Sequence, residues 1–90
     1  MQPRPVKWVG SSRKDVREFP RAAQRDIGVA LYVAQIGDVH PAAKVLQGFR
    51  GASVLEIVSL NSSGTYRAVY TVKFHDAISV GNVIIARAGE

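Results

Sequence analysis

Two arginines on the polar side of a predicted sheet are the residues of this chain best placed to do chemistry. From Thr65 to Phe74 the side chains alternate: Tyr66, Ala68, Tyr70, Val72 and Phe74 make an apolar side. Thr65, Arg67, Val69, Thr71 and Lys73 make a largely polar one. Such alternation marks a strand buried on one face and open on the other. With residues 61–64 as the preceding loop, Leu60 stands opposite Thr65 and Val58 opposite Arg67, so Glu56 lies diagonal to Arg67 on the open face. A following turn centred on Asp76 sets Arg87 opposite Thr65, again diagonal to Arg67; a slip of one residue would move it to the other face. Two neighbouring guanidiniums repel unless an anion joins them, and a phosphate is a natural candidate. The alternative is an Arg67–Glu56 surface salt bridge with Arg87 solvated, and both readings stay open at this level.

Other groupings carry less. Cysteine is absent, which excludes a disulfide framework, a thiolate zinc site and a thiol nucleophile. His75 has the right type for a general base but falls at the opposite end of the strand from Arg67, and His40 lies in a connector before Pro41. These histidines are too far apart for a metal site, and no carboxylate spacing around either supplies ligands, so neither a metal nor a cofactor is expected. No Ser-His-Asp arrangement, phosphate-binding glycine loop or dinucleotide fingerprint is present. Tyr66, Tyr70 and Trp8 read as packing residues, and Tyr32 as an aromatic on the polar side of a helix.

The elements that must position these residues follow from periodicity. Pro5 to Gly10 (PVKWVG) reads as a strand. Ser12 and Asp15 form a capping-box pattern, and Val16 and Phe19 make the inner edge of a short helix ending before Pro20. Pro20 suits the first turn of a second helix. Phe19, Ala23, Ile27, Ala30, Leu31 and Ala34 recur at the helical period as its buried stripe, and Gly37 stops it. Residues 38–53 read as a connector. From Val54 the period becomes two, giving strands Val54–Leu60, Thr65–Phe74 and Ala77–Ala86, the last bulged around Gly81. The order β-α-α-β-β-β implies a single α+β domain over residues 1–90, an antiparallel sheet covered on one face by a two-helix hairpin.

Composition excludes whole classes of function. With 90 residues, 47% apolar and 21% charged, the chain is sized for one folded domain rather than a disordered tail. Its longest apolar run, Val29 to Ala34, is too short to span a bilayer, and the N-terminus lacks the apolar stretch of a signal peptide. A cytoplasmic location without a membrane partner is expected. The formal charge of +5 has an address: residues 1–25 carry seven bases (Arg4, Lys7, Arg13, Lys14, Arg17, Arg21, Arg25) against two acids, while residues 26–90 carry five of each sign. A basic block suits an anionic partner such as RNA, DNA or an acidic protein; the alternative is a solvated helix surface.

Several strings occur in a telling order. Val6-Lys7-Trp8-Val9-Gly10-Ser11-Ser12 leads into the first helix, and Phe19-Pro20 separates the two helices. Ala43-Lys44-Val45-Leu46-Gln47-Gly48-Phe49, Val54-Leu55-Glu56-Ile57 and Thr65-Tyr66-Arg67-Ala68-Val69-Tyr70-Thr71-Val72 follow. From Val6 to about Ile84 this succession resembles the RelE/ParE toxin superfamily of type II toxin–antitoxin systems, in its phage-derived, HigB-like branch. The resemblance implies a RelE-like fold and a ribosome-dependent mRNA endonuclease, cutting by attack of the ribose 2′-OH on the adjacent phosphate. It implies catalytic roles for Arg67, which matches the arginine of the family's Tyr-Arg string, and for Arg87, near the family's basic residues at the end of the last strand. It further implies contacts to RNA and the ribosome through Lys7, Arg13, Arg17, Arg21, Arg25, Lys44, Arg50 and Lys73. A cognate antitoxin protein is the implied partner, in a toxin–antitoxin heterotetramer or beside a toxin homodimer. The chain departs from the pattern at Gln47, where relatives carry Lys, and at Glu56-Ile57-Val58, which lacks the RelE branch's basic residues. No Tyr or Lys follows Lys73, so the relatives' basic, aromatic C-terminal tail is expected to be shortened. Two alternatives remain: a catalytically degenerate toxin-like protein that only binds antitoxin or RNA, and a ParE-like inhibitor of DNA gyrase.

Overall fold

The computed structural model describes residues 4–49, 52–73 and 78–87. In chain order the elements are β1 (Val6–Trp8), α1 (Ser12–Arg17), α2 (Arg21–Gln35), β2 (Lys44–Phe49), β3 (Ala52–Asn61), β4 (Gly64–Lys73) and β5 (Ile78–Arg87). The strands form one sheet in the order β1-β5-β4-β3-β2, and the two helices pack on one of its faces. The α+β class holds, with two corrections. Residues 44–49, predicted as connector, are an edge strand paired antiparallel with β3; a bulge between Val45 and Gln47 breaks the alternation that would have revealed it. The sheet is also mixed rather than antiparallel, because β1 pairs parallel with β5 through Val6↔Ile78 and Trp8↔Val80.

The helical hairpin is fixed by local chemistry. Ser11, not Ser12, stands at the N-cap of α1, and its hydroxyl donates to Asp15 Oδ2 at 2.8 Å. Ser12 turns inward instead and donates to the Val80 carbonyl at 3.1 Å, tying α1 to β5. Pro20 occupies the N-cap of α2, and Gln24 Nε2 donates to the carbonyls of Phe19 (2.8 Å) and Arg17 (3.1 Å), bridging the two helices. At the other end Gly37 adopts φ 88°, donating to the Ala34 carbonyl at 3.0 Å while Asp38 N donates to Val33 at 3.0 Å. That pair of bonds closes the helix as a Schellman motif, for which a left-handed residue is required.

The predicted stripe is the one that packs. Phe19, Ala23, Ile27, Ala30, Leu31 and Ala34 are all buried, against Leu55, Ile57, Tyr66, Ala68, Tyr70, Ile78 and Val80 on the sheet. Phe19 and Tyr66 meet with ring centroids 4.8 Å apart in a tilted arrangement. Buried Ser59 donates to Asp26 Oδ2 at 2.6 Å, pinning α2 to β3. The Tyr70 hydroxyl is buried without a partner among the described residues, and burial pushes its pKa above the ordinary 10.0.

Register decides what shares the open face. Between β3 and β4, Leu60 pairs with Thr65 and Val58 with Arg67, as predicted. The turn tightens to Ser62–Ser63 between Asn61 and Gly64, and its centre does not move. Between β4 and β5 the pairing differs from prediction. Val72↔Ile78 centres the connection on residue 75, and the bulge foreseen at Gly81 falls between Val80 and Asn82. Arg67 therefore faces Ile84, and Arg87 pairs with Gly64 instead of Thr65, one row out of step with Arg67.

Candidate functional site

The open face collects side chains from four strands. Odd-numbered Leu55, Ile57 and Ser59 of β3 are buried toward the helices, so Val54, Glu56, Val58 and Leu60 point the other way, with Arg67, Val69, Thr71 and Lys73 of β4. Lys44 of β2 occupies the cross-strand position next to Glu56, and Lys7 of β1 pairs with Ser79, itself opposite Thr71. By register, Lys7, Lys44, Arg67 and Lys73 thus share one face.

At its centre is an ion pair. Arg67 Nη1 lies 4.0 Å from Glu56 Oε1, with the Arg67 side chain 44% exposed and that of Glu56 15%. This separation is longer than a hydrogen bond, so the carboxylate orients the guanidinium electrostatically and leaves its five N–H donors available. Exposed Val58 and Leu60 flank the pair with apolar surface. A half-exposed guanidinium oriented by a carboxylate can receive an anionic group, and the carboxylate beside it can take a proton from whatever that group carries.

The remaining predicted residues lie elsewhere. Arg13, Arg17, Arg21 and Arg25 are exposed on the helical layer, on the far side of the sheet from Arg67. Arg87 takes the register position opposite Gly64. Arg50 and His75 lie outside the described residues. His40 Nδ1 accepts from Ala42 N at 3.0 Å within its own turn. Among the described residues no group of His, Asp and Glu could hold a metal ion, and no helix of the described residues is long and apolar enough to cross a membrane.

Two parts of this site escaped sequence reasoning. Lys44 could not be placed beside Glu56 while β2 was read as connector. The available signal was a lysine and a glutamate nearly equidistant in sequence from the turn-forming residue types Gly48 and Gly51, matching the observed Lys44↔Glu56 pairing. Glu56 was read only as a salt-bridge partner, and its carboxylate lies 4.0 Å from the Arg67 guanidinium on the same face.

Comparison with known families adds one match. The family described as Phage derived protein Gp49-like (DUF891) matches residues 14–85, about four fifths of the chain. No curated protein and no solved structure matches it.

Proposed function

The chain belongs to the phage-derived, Gp49-like family, and on that premise we propose that it is a toxin of the RelE/HigB kind, an endoribonuclease held in check by a partner protein. The observation that carries the reading is the Arg67–Glu56 pair at 4.0 Å on an otherwise open sheet face, with Lys44 in the neighbouring cross-strand position. The family's association with RelE/HigB-like toxins supports the toxin part of the reading.

The chemistry follows from those side chains. Arg67 receives the scissile phosphate and stabilises the charge that builds on its non-bridging oxygens as a fifth P–O bond forms. Glu56 accepts the proton of the ribose 2′-OH as that oxygen attacks phosphorus. The P–O5′ bond breaks, and Lys44 gives a proton to the departing 5′-oxygen. Products are a 2′,3′-cyclic phosphate and a 5′-hydroxyl, and no water enters the step. Lys7 and Lys73 track the flanking backbone on the same face.

Induced expression tests the reading directly. Transcripts should be cut, with 5′-hydroxyl ends, and growth should stop. Intact transcripts would overturn it. If growth stops while transcripts stay intact and DNA supercoiling is lost, the gyrase-inhibitor alternative takes its place.

A further inference from the structure

Past the end of α2 at Gln35, the helical face of the sheet borders a cavity of about 130 Å³. Ser53 and Leu55 of β3 and Tyr70 and Val72 of β4 line it from the sheet. Arg4, before β1, and Asp38 and Val39, after α2, line it from above. The size is close to that of a roughly 150 Å³ cavity that takes up one benzene ring. These sheet residues belong to the face buried toward the helices, opposite Arg67, so the cavity stands apart from the nuclease reading.

Two hydrogen-bond donors border this space with no partner assigned to them. Tyr70 is 1% exposed, and its hydroxyl has no partner among the described residues. Burial raises its pKa above the ordinary 10.0, so at neutral pH the phenol keeps its proton and can donate it. Phenylalanine would fill the same volume without a desolvated hydroxyl, so packing alone does not account for tyrosine here. Arg4 is the second donor. Its backbone is clamped to α2, with Arg4 N donating to the Gln35 carbonyl at 2.9 Å and Gln35 Nε2 donating to the Arg4 carbonyl at 2.7 Å. Its Nη2 stands 4.0 Å from where a Cβ on Gly37 would lie. Capping of α2 does not occupy it, because the carbonyls of Tyr32, Val33, Ala34 and Gln35 each already accept a backbone N–H. Among the described residues no carboxylate forms an ion pair with it.

The lining also supplies acceptors and an apolar bed. Asp38 Oδ1 takes the Val39 N–H at 2.8 Å, which leaves its second oxygen, and Ser53 adds a hydroxyl. One base and one acid cancel, so net charge selects neither a carboxylate nor an amine, and desolvating either would cost more than a neutral group. Water alone would put about four molecules, at roughly 30 Å³ each, against Leu55, Val72 and Val39. A neutral amide matches both sides at once: its carbonyl oxygen accepts two hydrogen bonds and its N–H donates one.

We propose that this cavity binds a small neutral molecule made of one ring and an amide or lactam edge. The ring lies against Leu55, Val72 and Val39, the carbonyl oxygen accepts from Tyr70 and Arg4, and the N–H donates to Ser53 or Asp38.

The experiment titrates benzamide into the isotope-labelled full chain and follows the backbone amide resonances, with acetamide, benzoate and benzylamine as comparisons. Resonances of Asp38, Ser53, Leu55 and Tyr70 should move and saturate, and the thermal midpoint should rise with benzamide concentration. Two variants accompany the wild type, and circular dichroism establishes that each folds. Tyr70→Phe removes only the unpartnered hydroxyl and should bind benzamide roughly 5- to 10-fold more weakly. Ser53→Leu extends a side chain into the cavity and should abolish binding. Acetamide, which lacks the ring, should bind at least about 10-fold more weakly than benzamide. Benzoate and benzylamine, which carry a charge, should also bind more weakly. Four results would each overturn the proposal: no saturable shift up to about 50 mM benzamide, shifts centred on the Arg67 face, equal affinity for Tyr70→Phe, or either charged comparison binding more tightly than benzamide.

Discussion

The two faces of this sheet carry cations in opposite ways. On the helical side Arg13, Lys14, Arg17, Arg21 and Arg25 project into solvent, with no carboxylate paired to them among the described residues. On the open side Arg67 is less than half exposed and stands 4.0 Å from Glu56. Numbers of exposed charges raise the local potential and the rate of encounter with an anionic partner, and need no fixed geometry. Holding a reacting group needs few charges and a defined position. The face with the exposed, unpaired cations is therefore suited to encounter with an anionic partner, and the face with an oriented arginine to holding a reacting group. The charge excess of residues 1–25 pointed to the first and said nothing of the second.

The comparison can be broken most sharply at Glu56. Glu56→Gln keeps shape and hydrogen bonding while removing the proton acceptor, so RNA cleavage should fall roughly 100- to 10,000-fold. Stability should change by no more than about 1 kcal/mol, since the pair is partly exposed. Single-turnover cleavage and urea denaturation, run on the same preparation, read both. Unchanged cleavage would return Glu56 to a surface salt-bridge role.

A smaller effect separates the layers mechanically. Asp26→Ala removes the acceptor of buried Ser59 Oγ, the 2.6 Å bond between α2 and β3. Leaving that hydroxyl unsatisfied should cost about 1–3 kcal/mol in chemical denaturation. The open face lies across the sheet, so cleavage at temperatures where the protein is folded should hold.

The smallest effect sits in the core. Tyr70 buries a hydroxyl without a partner among the described residues, so Tyr70→Phe should be neutral or stabilising by about 1 kcal/mol. Its pKa in the folded chain is raised by burial above 10.0. The unfolded chain thus releases the proton first, and stability falls as pH rises past the unfolded value. Tyr70→Phe should flatten that alkaline part of the stability profile, measured by denaturation at a series of pH values.

What the sequence disclosed follows the strength of each local signal. The α2 stripe was legible because six apolar residues keep the helical period, and all six are buried. The β3–β4 register was legible because alternation on both strands constrains it; tightening the turn about the same centre left every pair in place. β2 hid behind a bulge at the sheet's edge, where one side of each residue is unconstrained. The parallel β1–β5 contact was invisible for a different reason, since three residues of β1 carry no trace of a partner 72 positions away. Arg87 shows how small errors compound. A turn centre displaced by one and a bulge of one residue together leave it a single place from the expected register, which is enough to change rows. The part of the site that rested on β3 and β4 was readable; Lys44 on β2, and the displacement of Arg87 on β5, depended on irregularities that leave little mark in composition.

The central claim, chemistry on the open face and encounter with an anionic partner on the helices, has one direct test. Cleavage of a ribosome-bound mRNA should be timed with the wild-type chain, with Arg67→Ala and with Arg21→Glu/Arg25→Glu, under saturating protein. Arg67→Ala should slow the step roughly 100- to 1000-fold, the scale of losing one donor to a developing oxyanion, while the double reversal should cut at close to the wild-type rate. Equal rates for Arg67→Ala and wild type, or a loss in the double reversal as large as that of Arg67→Ala, would contradict it.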